Sequence, residues 1–249
     1  MEKIMAQKKK TKAMVVSQEK LADGIYDLRL ETELAQDAAC GQFVGVYPKD
    51  KSTLLPRPIS ICEIDKEKNI LRQTHLSGHG RRENDAEHAW HMAIMTLLLS
   101  EYANEEIDIL KTISMLLIHD IVEIDAGDTY AYDQKGIETQ RERETKAADR
   151  IFGLLPEDQK VKFRMLWEEF ENNETPEAHF AHTMDNFQPI MLNDATNGKM
   201  WEENKVRLSQ ILKRNEKTKL GSKILWEYSY KNFIEPNVKK KKIIDDTNL

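Results

Sequence analysis

The sequence predicts a mainly α protein with a small antiparallel β segment at its N-terminus. Between Thr11 and about Ile64, short apolar runs alternate with turn-forming residues, as in strands joined by hairpins. After Asp85, apolar residues recur at the three- and four-residue spacing of amphipathic helices. The charge balance changes nearby, since residues 1–72 hold 13 Lys/Arg against 11 Asp/Glu and the remainder hold 24 against 32. Two regions of different origin are therefore expected.

Four strands are predicted in the N-terminal region. They are residues 12–17, 25–31, 43–47 and 58–63, separated by Asp-Gly, Cys-Gly and Pro-Lys-Asp turn signals.

Helices are predicted throughout the rest of the chain. The first carries His88, Met92, Met95 and Leu99 on one face, and the second carries Ile107, Leu110, Ile113 and Leu117. Thr175-Pro176-Glu177 predicts a helix start, because it supplies a capping hydroxyl, an N-terminal proline and an acid near the positive end of the dipole. This helix should end near Asn193, and two amphipathic stretches, about 201–214 and 218–234, follow it.

Composition narrows the class of protein. The 249 residues are 40% hydrophobic and 32% charged, with no apolar run near the ~20 residues that span a bilayer. Lysines 8, 9, 10 and 12 precede no hydrophobic region, so a cytoplasmic protein without a secretory signal or a membrane partner is expected. Cys40 and Cys62 are interpreted as ordinary thiols. The acidic second part disfavours nucleic-acid binding, and Lys239 to Lys242 are interpreted as part of a solvated tail.

Residues 115–123 place His119, Asp120 and Glu123 in a segment apolar enough to be buried on all sides. Buried ionisable groups need partners, and a metal ion accepts imidazole and carboxylate together. His88 and Asp185 lie on helix faces that also carry apolar residues, so both can border the same interior. A lone inward histidine is more often a hydrogen-bonded core residue, but the His-Asp pair favours a metal site with open positions.

Other polar residues have simpler interpretations. His91 is interpreted as packed or facing solvent. His182 is a candidate for a residue that contacts a metal ligand without binding the metal itself. Gly78-His-Gly80 is too short for a phosphate loop and predicts a turn.

These motifs carry a family resemblance. Arg82-Glu-Asn-Asp-Ala-Glu-His88, then Leu117-Ile-His119-Asp120-Ile-Val-Glu123-Ile-Asp-Ala-Gly-Asp128, then Met184-Asp185 resemble the HD-domain phosphohydrolases, in the branch that contains the 5′-deoxynucleotidases. The resemblance covers about residues 72–235. It implies an all-helical HD-domain bundle, cytoplasmic nucleotide metabolism and pairing as a homodimer.

The resemblance also implies roles for individual residues. The residues matching His88, His119, Asp120 and Asp185 hold one divalent transition metal, such as Mn, Co or Fe. The one matching Glu123 activates the attacking water, and the one matching Asp128 contacts the sugar or supports the site. Arg72 would grip the phosphate, whereas Gln73 replaces the family's aromatic residue and leaves nucleotide selectivity open. The implied reaction releases phosphate from a (deoxy)nucleoside 5′-monophosphate.

The first segment resembles a different family. Gly41-Gln-Phe-Val-Gly-Val-Tyr-Pro and Leu55-Pro-Arg57-Pro58-Ile-Ser60 are similar to the start of the electron-transfer subunit of dihydroorotate dehydrogenase, a ferredoxin-reductase-type flavoprotein. There, the element matching Arg57 to Ser60 binds FAD. The match covers only about residues 10–68, half of a flavin barrel, so both residues are expected to be vestigial and FAD is not expected to bind.

The sequence therefore predicts a fusion with boundaries at 1–69, 70–236 and 237–249. Two alternatives stay open. The N-terminal segment could carry flavin-dependent electron transfer or partner docking in pyrimidine biosynthesis, or the helical part could bind nucleotide or metal without turnover.

Overall fold

The computed structural model describes residues 11–22, 25–33, 45–46, 57–58, 64–78, 80–155 and 157–247. The chain divides into two compact units, Met1–Ile59 and Ser60–Leu249. Among the described residues, none of the helices has the length and apolar character needed to cross a bilayer.

The described residues of the first unit form two antiparallel strand pairs. Strand β1 (Met14–Ala22) pairs with β2 (Ile25–Glu31), and β3 (Gly45–Val46) pairs with β4 (Arg57–Pro58). The predicted strand 25–31 has the observed bounds, whereas the predicted strand 12–17 begins and ends later. The remaining residues of the predicted strands 43–47 and 58–63 lie outside the described residues.

In the second unit, a 3₁₀ helix, Ile64–Asn69, is followed by a hairpin that the sequence pattern missed. Strand β5 (Leu71–His75) pairs antiparallel with β6 (Arg82–Asn84). No strand was predicted here because β5 offers no apolar alternation: its buried residues are Thr74 and His75, and Leu71 is exposed. The hairpin matters because it presents Arg72 toward the helices that follow.

Ten helices occupy the rest of the described chain. They are α1 (Asp85–Leu99), α2 (Ile109–Ile118), α3 (Glu123–Ala126), α4 (Gln134–Phe152), α5 (Glu157–Asn172), α6 (Pro176–Ala195), α7 (Lys199–Glu203), α8 (Leu208–Arg214), α9 (Lys223–Ser229) and α10 (Glu235–Lys239). The fold is thus mainly α with small antiparallel sheets, as predicted.

Local signals explain where the long helices begin. Asn84 and Glu87 form a capping box at α1, with Asn84 Oδ1 accepting from the Glu87 N–H and Glu87 Oε2 accepting from the Asn84 N–H. Thr175 caps α6 by accepting from the Ala178 N–H, and Pro176 is its first residue. The predicted start of α6 is therefore correct, and the helix continues to Ala195, close to the expected end.

Two hydrophobic clusters hold these helices together. The first lies between α1, α2, α4, α5 and α6, around the fully buried side chains of Met92, Met115, Trp167, Phe180 and Met184. The second contains Trp201, Ile211, Ile234 and Ile243 from the C-terminal helices and the segment after them.

Three sequence expectations need correction here. Residues 201–214 form two helices instead of one, because Lys205 is in the left-handed region (φ 51°) and Val206 O accepts from the Ile244 N–H. Residues 115–123 are not buried on all sides, since Leu117 is 44% exposed. The segment after residue 237 is not a free tail: its lysines 239–241 are exposed, but Ile243 is buried.

Candidate metal centre

Four side chains from three separate elements converge in the first cluster. His88 is on α1, Asp185 is on α6, and His119 and Asp120 lie in a 3₁₀ turn, His119–Val122, directly after α2. His88 Nε2 lies 3.1 Å from Asp185 Oδ1, and His119 Nε2 lies 3.0 Å from Asp120 Oδ1 and 3.9 Å from Asp185 Oδ1. All four residues are buried. The structure therefore groups three of the predicted ligands, His88, His119 and Asp185, within 4.8 Å of one another, and places the fourth, Asp120, against His119.

His88 is oriented by Gln188, a residue that the sequence analysis missed. The Gln188 amide nitrogen donates to Glu83 Oε1 at 2.6 Å, so the amide oxygen faces His88 Nδ1 at 3.0 Å and must accept its proton. His88 Nε2 is then left with a lone pair directed at the Asp185 carboxylate. Burial, with a contribution from Arg72, lowers the pKa of His88 to about 4 and keeps the ring neutral. A neutral nitrogen facing a carboxylate oxygen is an arrangement that a shared cation would stabilise.

His119 is held in a similar way. Its Nδ1–H donates to the Leu116 carbonyl at 2.8 Å, which leaves Nε2 toward the centre. This buried nitrogen lies 3.0 Å from Asp120 Oδ1, but not with the angles of a hydrogen bond. Burial would lower the pKa of His119, but the Asp120 carboxylate outweighs it and raises the pKa to about 9. The surroundings of His119 thus stabilise a positive charge at Nε2, and a metal ion can supply that charge in place of a proton.

The two carboxylates are poised to bind a cation. The pKa of Asp120 is lowered by His119 and Arg72 against the effect of burial. Burial acts against ionisation of Asp185, but its contact with His88 and the charges of Arg214 and His119 hold its pKa well below the usual range. Both residues are therefore ionised, and with two imidazole nitrogens they form a donor set that suits a divalent transition metal.

An acidic layer lies beside this ligand set. Oxygens of Asp85, Asp120 and Glu123 lie within 4.8 Å of one another. Burial, followed by the Asp120 charge, raises the pKa of Asp85 to about 7, and the same two causes raise the pKa of Glu123 well above its usual range. Glu123 Oε2 is buried without a hydrogen-bond partner among the described residues, so this oxygen is available to a water or a substrate proton.

The remaining predicted site residues lie around this layer. Asp128 follows Gly127 (φ 74°) after the short helix α3, and burial raises the pKa of its carboxyl. Arg72 Nη1 donates to Asp120 Oδ2 at 2.8 Å and to Asp85 Oδ1 at 3.2 Å. Arg72 thus neutralises the acidic layer from the hairpin, with a side chain that is only 14% exposed.

Phe170 packs between His119 and His182. The Phe170 ring packs against His119 with a centroid distance of 4.8 Å and stacks on His182 at 4.1 Å. His182 Nε2 is 2.8 Å from the Phe170 carbonyl oxygen, to which its N–H donates. His182 therefore reaches the centre only through Phe170, which is the indirect role considered for it.

Several residues of the site could not be identified from the sequence. Arg214 donates from Nη2 to Asp185 Oδ2 at 3.1 Å, and Glu83 has an unpartnered buried oxygen next to His88. Arg214 is one of many charged residues in its region, so no spacing signal distinguishes it. Glu83 and Gln188 had a weak signal, since each lies within five residues of a predicted ligand.

Of the two residues predicted as a vestigial FAD element, the structure describes only Arg57. Arg57 is in β4, where Val46 is its backbone partner. Ser60, Cys40 and Cys62 lie outside the described residues.

Comparisons with known proteins agree with this description. The family model for the HD domain matches residues 64–226. The human 5′-deoxynucleotidase HDDC2 is 30% identical over 111 residues, which are 45% of this chain and 53% of that protein. The chain thus spans about half the length of the curated relatives it matches. The electron-transfer subunit of dihydroorotate dehydrogenase B from Lysinibacillus sphaericus is 51% identical over 59 residues, 23% of each chain.

A solved crystal structure is similar to this chain over a longer range. The crystal structure of a predicted metal-dependent phosphohydrolase from Magnetospirillum magnetotacticum is 46% identical, with a TM-score of 0.69, and the match covers 74% of this chain and 91% of that one. Because the HD-domain model matches well over half of the sequence and includes all four converging side chains, the chain belongs to the HD-domain family.

Proposed function

We propose that this protein is a divalent-metal-dependent phosphohydrolase that releases phosphate from (deoxy)nucleoside 5′-monophosphates. One observation carries the proposal: two oriented imidazole nitrogens and two ionised carboxylates meet in a buried centre, next to an unpartnered Glu123 oxygen. The nucleotide assignment is supported by the 5′-deoxynucleotidase relatives.

His88, His119, Asp120 and Asp185 would hold the ion, with Mn²⁺, Co²⁺ or Fe²⁺ as candidates. A divalent ion there would supply the Lewis acidity that activates water and offsets phosphoryl charge. Gln188 and the Leu116 carbonyl keep both imidazoles in the tautomer that offers Nε2 to the centre.

The chain's own residues then handle the proton and the phosphate. Glu123 accepts a proton from the attacking water at Oε2, the oxygen that is buried without a hydrogen-bond partner among the described residues. Arg72 holds Asp120 in place through Nη1 and is positioned to contact non-bridging phosphate oxygens from the buried side. Asp128 would contact the sugar or support the loop beneath it.

The first test is phosphate release. Purified protein supplied with Mn²⁺ or Co²⁺ should release phosphate from a panel of ribo- and deoxyribonucleoside 5′-monophosphates, as measured by a colorimetric phosphate assay. Asp120→Ala should abolish release, because it removes a proposed ligand and one of the two carboxylates that Arg72 contacts. Asp158→Ala, at an exposed site on α5, should retain activity. A wild-type protein that binds metal but hydrolyses none of these compounds would contradict the proposal.

We also propose that the chain pairs with a second copy of itself through the outer face of α1. Trp90, Ile94, Leu97 and Leu98 are 65%, 39%, 58% and 68% exposed and lie opposite the buried face of this helix. A patch of this kind is unusual on a monomer. A two-fold axis would place the same apolar patch on both partners, so each would cover the other.

Leu97→Glu should therefore convert a dimer into monomers, because the pairing would bury two charges without partners. Sedimentation velocity or light scattering would measure the mass. Ile224→Glu, at a 58% exposed position on α9, is the matched control and should stay dimeric. A monomeric wild type, or a Leu97→Glu protein that remains dimeric, would exclude this interface.

A further inference from the structure

Arg214 lies at the open edge of the metal centre. It is the last residue of α8, its side chain is 45% exposed, and its Nη2 donates to Asp185 Oδ2 at 3.1 Å. The opposite oxygen of the same carboxylate, Oδ1, faces His88 and His119. One carboxylate therefore separates this guanidinium from the position of the ion.

The backbone beside Arg214 is fixed by buried polar contacts. Asn215 follows it and is 3% exposed, and Asn215 Oδ1 accepts from Thr218 Oγ1 at 3.2 Å. Thr218 is tied in turn to α6, where the Thr183 hydroxyl donates to its carbonyl at 2.8 Å. Thr183 and Asp185 are two residues apart on α6. These contacts fix the backbone of Arg214 relative to Asp185. The guanidinium group of Arg214 remains accessible to solvent.

The charge around the centre makes an accessible cation important. The ionised carboxylates of Asp120 and Asp185 would repel an approaching phosphate dianion, and Arg72 Nη1 already donates to Asp85 and Asp120. Arg214 uses one donor nitrogen on Asp185, and its other N–H groups have no partner among the described residues. A guanidinium can bond a carboxylate and a phosphate at once through different edges of its planar fork.

We propose that Arg214 binds the phosphoryl group of the substrate from the solvent side of the centre, using the N–H groups that Asp185 does not occupy. This inference rests on the proposed function, since it assumes a phosphate ester at the metal. It makes Arg214 a phosphate-binding residue that also contacts the proposed metal ligand Asp185.

The test measures how tightly the Mn²⁺-loaded protein binds inorganic phosphate. Calorimetry at saturating Mn²⁺ gives the phosphate affinity of the wild type and of each variant. Arg214→Gln should weaken phosphate binding by about 10- to 100-fold, the usual effect of losing charge-assisted hydrogen bonds. Arg214→Lys should recover part of the loss, because it keeps the charge but not the fork. Lys213→Gln removes the same charge one residue away, at an exposed position, and should bind phosphate like the wild type.

Each outcome has a distinct meaning. Equal phosphate affinity in the wild type and Arg214→Gln would overturn the inference, as would a loss no larger than that of Lys213→Gln. A fall in Mn²⁺ affinity alone, with phosphate binding unchanged once Mn²⁺ is saturating, would reduce Arg214 to an orienting contact for Asp185 and would also overturn it. Since phosphate binding requires no turnover, a failure of the proposed hydrolysis would be seen separately in the phosphate-release assay.

Discussion

Asp185→Asn is expected to weaken Mn²⁺ binding by at least about 100-fold, because it removes a proposed direct ligand, and loss of a residue that only orients a ligand usually costs 10- to 100-fold in metal affinity. Asp185 is the residue that joins the two histidines: its Oδ1 lies 3.1 Å from His88 Nε2 and 3.9 Å from His119 Nε2. Asparagine keeps the size of the side chain and an oxygen, but it loses the negative charge that offsets the ion.

Calorimetry with MnCl₂ gives the affinity, and thermal unfolding gives an independent measure. At a free Mn²⁺ concentration 100 times its Kd, binding should stabilise the wild type by about 2.7 kcal/mol. For a domain of this size that corresponds to a rise in Tm of about 5 to 10 °C. Asp185→Asn should show no rise at the same concentration, and Asp158→Asn should behave like the wild type. A variant that folds and retains the wild-type affinity would exclude Asp185 as a ligand.

The parts of the fold that were predicted correctly depend on local signals. The start of α6 could be recognised because Thr175 and Pro176 satisfy the first turn by themselves, whatever the rest of the chain does. The inward direction of His88 followed from its spacing to Met92 and Met95, and all three are buried. Such features are encoded within one or two helical turns.

The parts that were missed depend on contacts between distant residues. Strand β5 exists because β6 pairs with it, and its own residues show no strand pattern. The helix expected at 201–214 is interrupted by backbone bonding between Val206 and Ile244, which are 38 positions apart. Exposure of Leu117 depends on which side of α2 the neighbouring helices cover.

The candidate site divides in the same way. The proposed ligands could be selected because adjacent His and Asp in an apolar segment are costly to bury, and that cost can be read from the sequence. Their orientation could not be predicted, because Gln188 lies 100 residues from His88 and Arg214 lies 29 residues from Asp185. Arg72 was expected at the phosphate, but its bonds to Asp85 and Asp120 depend on a hairpin that the pattern did not reveal.

Glu123→Gln is expected to lower kcat by about 10²- to 10⁴-fold, the usual contribution of a general base. Glutamine keeps the shape of the side chain but cannot accept a proton at Oε2. The loss should therefore appear in kcat, with the Mn²⁺ affinity close to that of the wild type. A fall in Mn²⁺ affinity comparable to that of Asp185→Asn would instead identify Glu123 as a metal ligand.

The same substitution should stabilise the metal-free protein. Burial raises the pKa of Glu123 above its value of 4.5 in an unfolded chain, so the unfolded state binds fewer protons between the two pKa values. The contribution of Glu123 to stability is thus most favourable below about pH 4.5 and is lost as the pH rises toward the folded pKa. At pH 7 the neutral glutamine avoids this cost, and thermal unfolding in EDTA should give Glu123→Gln a Tm at or above that of the wild type. A lower Tm would mean that the Glu123 carboxylate is stabilised by its surroundings, which is incompatible with a base kept reactive by burial.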